Sequence, residues 1–166
     1  MVRRDVFLAP VLEAALIVVL AVVGWLSRTP FVFASLGPTA YEIVETSKRP
    51  SARPYNIIMG NLIAVLAGFA ALWITGAWGV PSISAHGVPL ARVWAATIAA
   101  LLTVLGTLLA RATQPAALST TMLIALGIMQ TARDGVIIML AVLLITAIGE
   151  PLRRWRIKHA PPSNPS

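Results

Sequence analysis

The side chains that could do chemistry in this chain are few. It has no cysteine, two histidines and six acidic residues. Disulfides, thiolate nucleophiles and cysteine metal sites are therefore excluded. His86 reads as a loop residue and His159 as a tail residue, which excludes a histidine metal cluster inside an apolar segment. What remains is a set of neutral hydrogen-bond donors gathered at two breaks in apolar sequence. The first break is Ser35-Leu36-Gly37-Pro38-Thr39, with Asn61 further on. The second is Thr113-Gln114-Pro115, followed by Ser119 and Thr120. Each break precedes a helical stretch, and a helix start carries unpaired N–H groups and partial positive charge. Hydroxyls, amides and helix N-termini together are compatible with a small anion and equally with groups that merely cap the broken helices. Arg53 or Arg111 could attract that anion from one side. No metal, cofactor or catalytic residue is expected. Glu13 or Glu42 could act as a base in an intramembrane enzyme, but no nucleophile or carboxylate pair stands beside them at defined spacing.

Membrane helices must position these residues. The chain has 166 residues, 58% of them apolar and 11% charged, with a mean hydropathy of +0.84. A soluble domain carries about 25% charged residues. The reading is an all-α integral membrane protein in the lipid bilayer. The net charge of +7 comes from basic residues at segment ends, where they orient helices, so nucleic acid is not the expected partner.

About six membrane segments follow. Val6 to Leu26 exceeds the roughly 7–15 apolar residues of a signal peptide and reads as a retained helix. Phe31 to Gly37 approaches extended, and Pro38 to Thr46 forms a short helix. Gly37 is expected to serve the turn, where bulk would not fit. Glu42 and Glu45 precede Lys48 and Arg49 at helical spacing, which predicts ion pairs with that basic turn. Tyr55 to Ile74 is the third segment. A loop from Gly76 to Pro89 follows, with Trp73 and Trp78 at the interface. Arg92 to Ala110 is the fourth segment. Thr113 is predicted to cap the fifth, Ala116 to Gln130, with Pro115 at its start. Arg133-Asp134-Gly135 is a predicted turn before the last segment, Val136 to Leu152. Residues 1–158 form one polytopic domain, and residues 159–166 a disordered tail.

A break in an apolar run is tolerated only where protein or a polar cavity receives it. If both broken segments cross, ten basic residues lie on one side: Arg3, Arg4, Lys48, Arg49, Arg53, Arg111, Arg153, Arg154, Arg156 and Lys158. Arg28, Arg92 and Arg133 lie on the other. Four crossings would divide them seven to six, so charge favours six, with both termini cytoplasmic in a bacterial inner membrane. The halves, residues 6–76 and 90–152 approximately, share a pattern of long, short and long segments. Ile57-Ile58-Met59 recurs as Ile137-Ile138-Met139. Three crossings per half would make the repeats inverted, a transporter design with its site between the repeats. Gly60, Ala64 and Gly68 form a small-residue stripe on the third segment, open to a helix of this chain or of a homo-oligomer.

Ser35-Leu-Gly-Pro-Thr-Ala40, Ala52-Arg-Pro54, Asn56 and Gly60 resemble the first signature of the HPP family of integral membrane proteins, SLGPTA followed by RPxNxxxGH. Pro115-Ala116 and Thr120-Thr121 are similar to its HPPAGATT box. The chain departs from both signatures at their histidines, with Asn61 in one and Thr113-Gln114-Pro115 in the other. Some plant-plastid and cyanobacterial relatives are described as nitrite transporters. The resemblance thus implies a transporter or channel-like permease for a small inorganic anion, nitrite first among them. A membrane scaffold or accessory subunit is the alternative.

Overall fold

The computed structural model describes residues 2–33, 35–83 and 87–159, with side chains from residue 7 onward. These residues form six α-helices. They are α1 (Val2–Ser27), α2 (Leu36–Val44), α3 (Pro54–Ile74), α4 (Leu90–Leu109), α5 (Ala116–Ala125) and α6 (Ala132–His159). The four longer ones, α1, α3, α4 and α6, are long and apolar enough to cross a membrane. The short helices α2 and α5 are the two segments that follow the breaks. His86 and residues 160–166 lie outside the described residues, and α6 runs on through His159.

Several boundaries move for identifiable reasons. α5 ends at Ala125, well short of Gln130, because Gly127 turns with φ +81° and ends the run. The predicted turn at Arg133-Asp134-Gly135 is instead the first turn of α6. Thr131 and Asp134 cap it reciprocally: the Thr131 N–H donates to Asp134 Oδ2 at 2.9 Å, and the Asp134 N–H to Thr131 Oγ1 at 3.2 Å. Pro151 lies within α6.

α3 and α6 are the most enclosed of the long helices, and α1 and α4 the least. α2 packs on α1 and α6, and α5 packs on α4 and α3. α3 and α6 pack on each other. Exchanging α1, α2 and α3 for α4, α5 and α6 leaves this pairing unchanged. Each short helix therefore rests on the last helix of the other half.

Contacts fix the level of each chain end. At one end, Tyr55 Oη at the start of α3 donates to the Ala110 carbonyl after α4, at 3.1 Å. Arg153 near the end of α6 donates to the Ser47 carbonyl after α2, at 3.1 Å. Lys48, Arg49, Arg53, Arg111, Arg154 and Lys158 lie exposed in these same segments, so the predicted basic cluster shares one end of the bundle. At the other end, Gly135 of α6 meets Phe69 of α3, and Arg92 of α4 reaches the end of α5.

The small-residue stripe is filled from within. A Cβ on Gly60 would stand 2.5 Å from Gln114 Cβ, and one on Gly68 would stand 2.9 Å from Ile124 Cβ. The Ala64 carbonyl accepts from Thr121 Oγ1 at 3.5 Å. An interface between copies through this stripe is therefore replaced by an internal one with α5.

Candidate functional site

The first break meets the middle of α5, while the second, at Gln114-Pro115, lies beside Glu42 near the end of α2. Ser35, immediately before α2, and Thr120, halfway along α5, are both buried. Their hydroxyls are 2.8 Å apart. Thr120 Oγ1 also lies 2.6 Å from Asn61 Oδ1 on α3. A hydroxyl has one proton, so Thr120 donates to Asn61 and accepts from Ser35. The Asn61 amide then donates to the Ile57 carbonyl at 2.8 Å. Beside this triad, Thr121 and Thr103 of α4 share a 2.7 Å hydroxyl contact. Four helices thus meet through hydroxyl and amide groups, where lipid would satisfy none of them. Thr103 was not singled out from sequence, because a lone threonine in an apolar run carries no signal there.

A groove of about 290 Å³ lies between the two short helices. Pro38, Tyr41 and Glu42 of α2 line one wall, and Pro115, Ala116 and Ser119 the other, with Thr46 and Arg49 toward the basic end. Pro38 is one turn along α2 from Ser35, so the groove stops one turn short of the triad. Because α2 and α5 run past each other, the start of α5 lies alongside the end of α2. Pro115 has no N–H, and the Ala117 and Leu118 N–H groups donate to the Gln114 and Pro115 carbonyls at 3.1 and 3.2 Å, so the start of α5 is largely bonded within its own turn.

Glu42 does not make the predicted ion pair. Among the described residues, the ion pairs are those of Glu150 with Arg153 and Arg154, at 2.6 and 2.7 Å. Glu42 instead turns inward toward Ser51 and Gln114. Its Oε2 is buried without a hydrogen-bond partner, as are both amide atoms of Gln114. Glu45 stays exposed, and Glu13 is half-buried on α1.

The HPP transmembrane-region family profile matches residues 3–150. The chain belongs to the HPP family. No curated protein and no solved structure matches it.

In this HPP protein the other expected site residues divide clearly. Thr39 is buried and donates to the Ser35 carbonyl at 3.0 Å, which closes the first turn of α2. Ser119 is half-buried in the groove wall. Thr113 is exposed and is not the cap of α5. That helix starts after Pro115 with no side-chain cap, because Gln114 rather than Thr113 is packed against Gly60. Gly37 is not a crowded turn either. It lies in the first turn of α2, and a Cβ there would meet nothing within 4 Å. Arg53 precedes α3, and Arg111 turns the chain with φ +52°; both are exposed at the basic end.

Two buried arginines of the HPP chain close the far ends of the short helices. Arg92 is fully buried. Its guanidinium donates to the Ala125 carbonyl at 3.1 Å, to Gln130 Oε1 at 2.5 Å, to Pro81 at 3.4 Å and to Val80. Arg156 donates to the Val44 carbonyl at 3.0 Å. Val44 and Ala125 are the last residues of α2 and α5, so each short helix has a cation at its negative end. In the sequence both arginines are counted as orienting charges. Their burial decides otherwise.

Proposed function

We propose that this HPP membrane protein is a transporter or channel-like permease for a small inorganic anion, with nitrite as the leading substrate. The observation that carries the reading is the groove between α2 and α5, where the start of one broken helix faces the wall of the other. An anion leaving water needs donors to replace its hydration shell. The Ser119 hydroxyl is such a donor, the positive end of the α5 dipole adds to it, and exposed Arg49 draws anions toward the mouth. With arginines at the far ends of both short helices, the positive N-terminal ends are the ones left to act on a substrate. The groove ends one turn before the Ser35–Thr120–Asn61 triad, so passage requires that triad to open. The reading is non-enzymatic, and it assigns the protein to a bacterial inner membrane with the basic end cytoplasmic.

The competing reading, a scaffold or accessory subunit, draws on the same triad, whose polar groups satisfy one another. Uptake by proteoliposomes separates the two. Nitrite, nitrate, formate, chloride and bicarbonate are offered in turn. Protein-dependent uptake of at least one, nitrite foremost, is the expected result. No flux of any anion from folded protein would leave the scaffold.

A further inference from the structure

Glu42 is the one acidic side chain in the groove wall, and its surroundings differ from those of the other carboxylates. Glu150 is held by two arginines, while Glu45 is exposed. Glu42 has a buried oxygen with no partner and a buried amide beside it, Gln114, with none either. A glutamine amide offers both a donor and an acceptor. It can donate N–H to a carboxylate and accept O–H from a carboxylic acid. Gln114 therefore suits a neighbour that changes protonation state. The cation facing Glu42 across the turn is Arg49, and Tyr41 is the other titratable group in the groove. On α6, the helix packed behind α2, Glu150 is occupied by Arg153 and Arg154, Arg153 also reaches Ser47, and Arg156 reaches Val44. α5 and α3 present Ser119 and Asn61 on their sides of the site, both neutral.

We propose that Glu42 binds the proton that travels with the anion. Ionised, its carboxylate is a fixed negative charge in the groove wall and repels an anion there. At roughly 6 Å and an effective dielectric of about 20, two like charges disfavour joint occupancy by about a hundredfold. Protonated, Glu42 turns its O–H to Gln114 and leaves the groove, with Ser119 and Arg49 in its lining, to the substrate. One proton is taken up for each anion that enters, and it is released when the anion leaves. The inference rests on the anion reading but is tested separately from it.

Two measurements decide it, on the full chain in lipid vesicles. The first is the infrared difference spectrum on acidification without any anion substrate. A protonated-carboxyl band should appear for wild type, weaken in Glu42→Gln and remain in Glu45→Gln. The second is nitrite influx followed together with internal pH, corrected with protein-free vesicles for nitrous acid crossing lipid. Wild-type influx should rise by up to about tenfold per unit fall in outer pH, the limit for one proton, with protons entering alongside. Glu42→Gln should carry nitrite independently of pH and without proton movement, and Glu42→Asp should restore part of the coupling. A band unchanged by Glu42→Gln in a protein that remains monodisperse overturns the proton site. Nitrite influx without proton movement in wild type overturns the coupling and leaves the anion reading intact. Absence of all anion flux overturns the anion reading and the coupling together, while the infrared arm still decides the proton site.

Discussion

Ile43 of α2 fits so closely against Gly149 of α6 that a Cβ on residue 149 would stand 2.6 Å from Ile43 Cδ1. Ile124 of α5 meets Gly68 of α3 in the same way. The chain offset is identical, 81 positions from Ile43 to Ile124 and from Gly68 to Gly149. Val44 and Ala125, the two carbonyls bonded to buried arginines, stand at that offset as well. A duplicated unit would make each contact twice in this way.

The two glycines should nevertheless differ under substitution. The obstacle at Gly149 is the far end of a flexible side chain. At Gly68 it is Ile124 Cβ and Cγ2, both at 2.9 Å and close to the backbone. Gly68→Ala should lose about 1–3 kcal/mol by overpacking, and Gly149→Ala less, as read by thermal unfolding in detergent. Adding Ile124→Ala should recover much of the loss at Gly68. Equal melting shifts for the two glycine variants would contradict this packing.

The triad predicts an order of its own. Thr120→Val removes the one group that joins Ser35 to Asn61, leaving two buried partners unsatisfied at about 1–3 kcal/mol each. Ser35→Ala removes one hydrogen bond and leaves Thr120 bonded to Asn61. The melting temperature should therefore fall further for Thr120→Val than for Ser35→Ala. The reverse order would mean that Thr120 is not the bridge.

Arg92 holds four acceptors, and lysine cannot reproduce its planar fork. Arg92→Lys should lower the melting temperature markedly, although charge is kept. Gly127→Ala should damage the same clamp from the other side. Its backbone has φ +81°, and a Cβ would stand 2.5 Å from the guanidinium. The expected loss exceeds about 1 kcal/mol. Arg92→Lys with wild-type melting would show the charge alone to matter.

Topology is open to direct labelling, because the natural chain has no cysteine. Lys48 and Val88 are exposed at opposite ends of the bundle. In intact cells an impermeant thiol reagent should modify Val88→Cys and spare Lys48→Cys. The opposite pattern inverts the assignment of the basic end to the cytoplasm.

Hydropathy made the six segments legible, and the prolines marked both breaks. The cost of a broken helix in lipid leads one to expect protein around both breaks, but not that Ser35 would meet Thr120 in the middle of α5 while Gln114-Pro115 lies beside the end of α2. Individual side chains were less legible. Gly37 suggested a tight turn, yet it is helical with open space beside it, so Gly37→Ala should leave the melting temperature nearly unchanged. Thr113 and Gln114 are neighbours in sequence, and only the packing against Gly60 decides which one turns inward. Arg92 reads as a surface charge because its acceptors, Val80, Pro81, Ala125 and Gln130, lie 11 to 38 positions away. Glu42 looked paired with Lys48 or Arg49 because helical spacing cannot see the groove that receives it.

The clamp on Val44 has a consequence for how the protein is made. α2 leaves the ribosome early, carrying a break, a carboxylate and a short helix whose last carbonyl, that of Val44, is bonded among the described residues only by Arg156 of α6. Its supports on α6, Gly149 beneath Ile43 and Arg156 on Val44, are synthesised about a hundred residues later. Until then this segment leans on α1, on the turn that follows it and, once made, on α5. The final seating of α2 thus depends on the last helix to be made, so the first half of the chain cannot complete its packing alone.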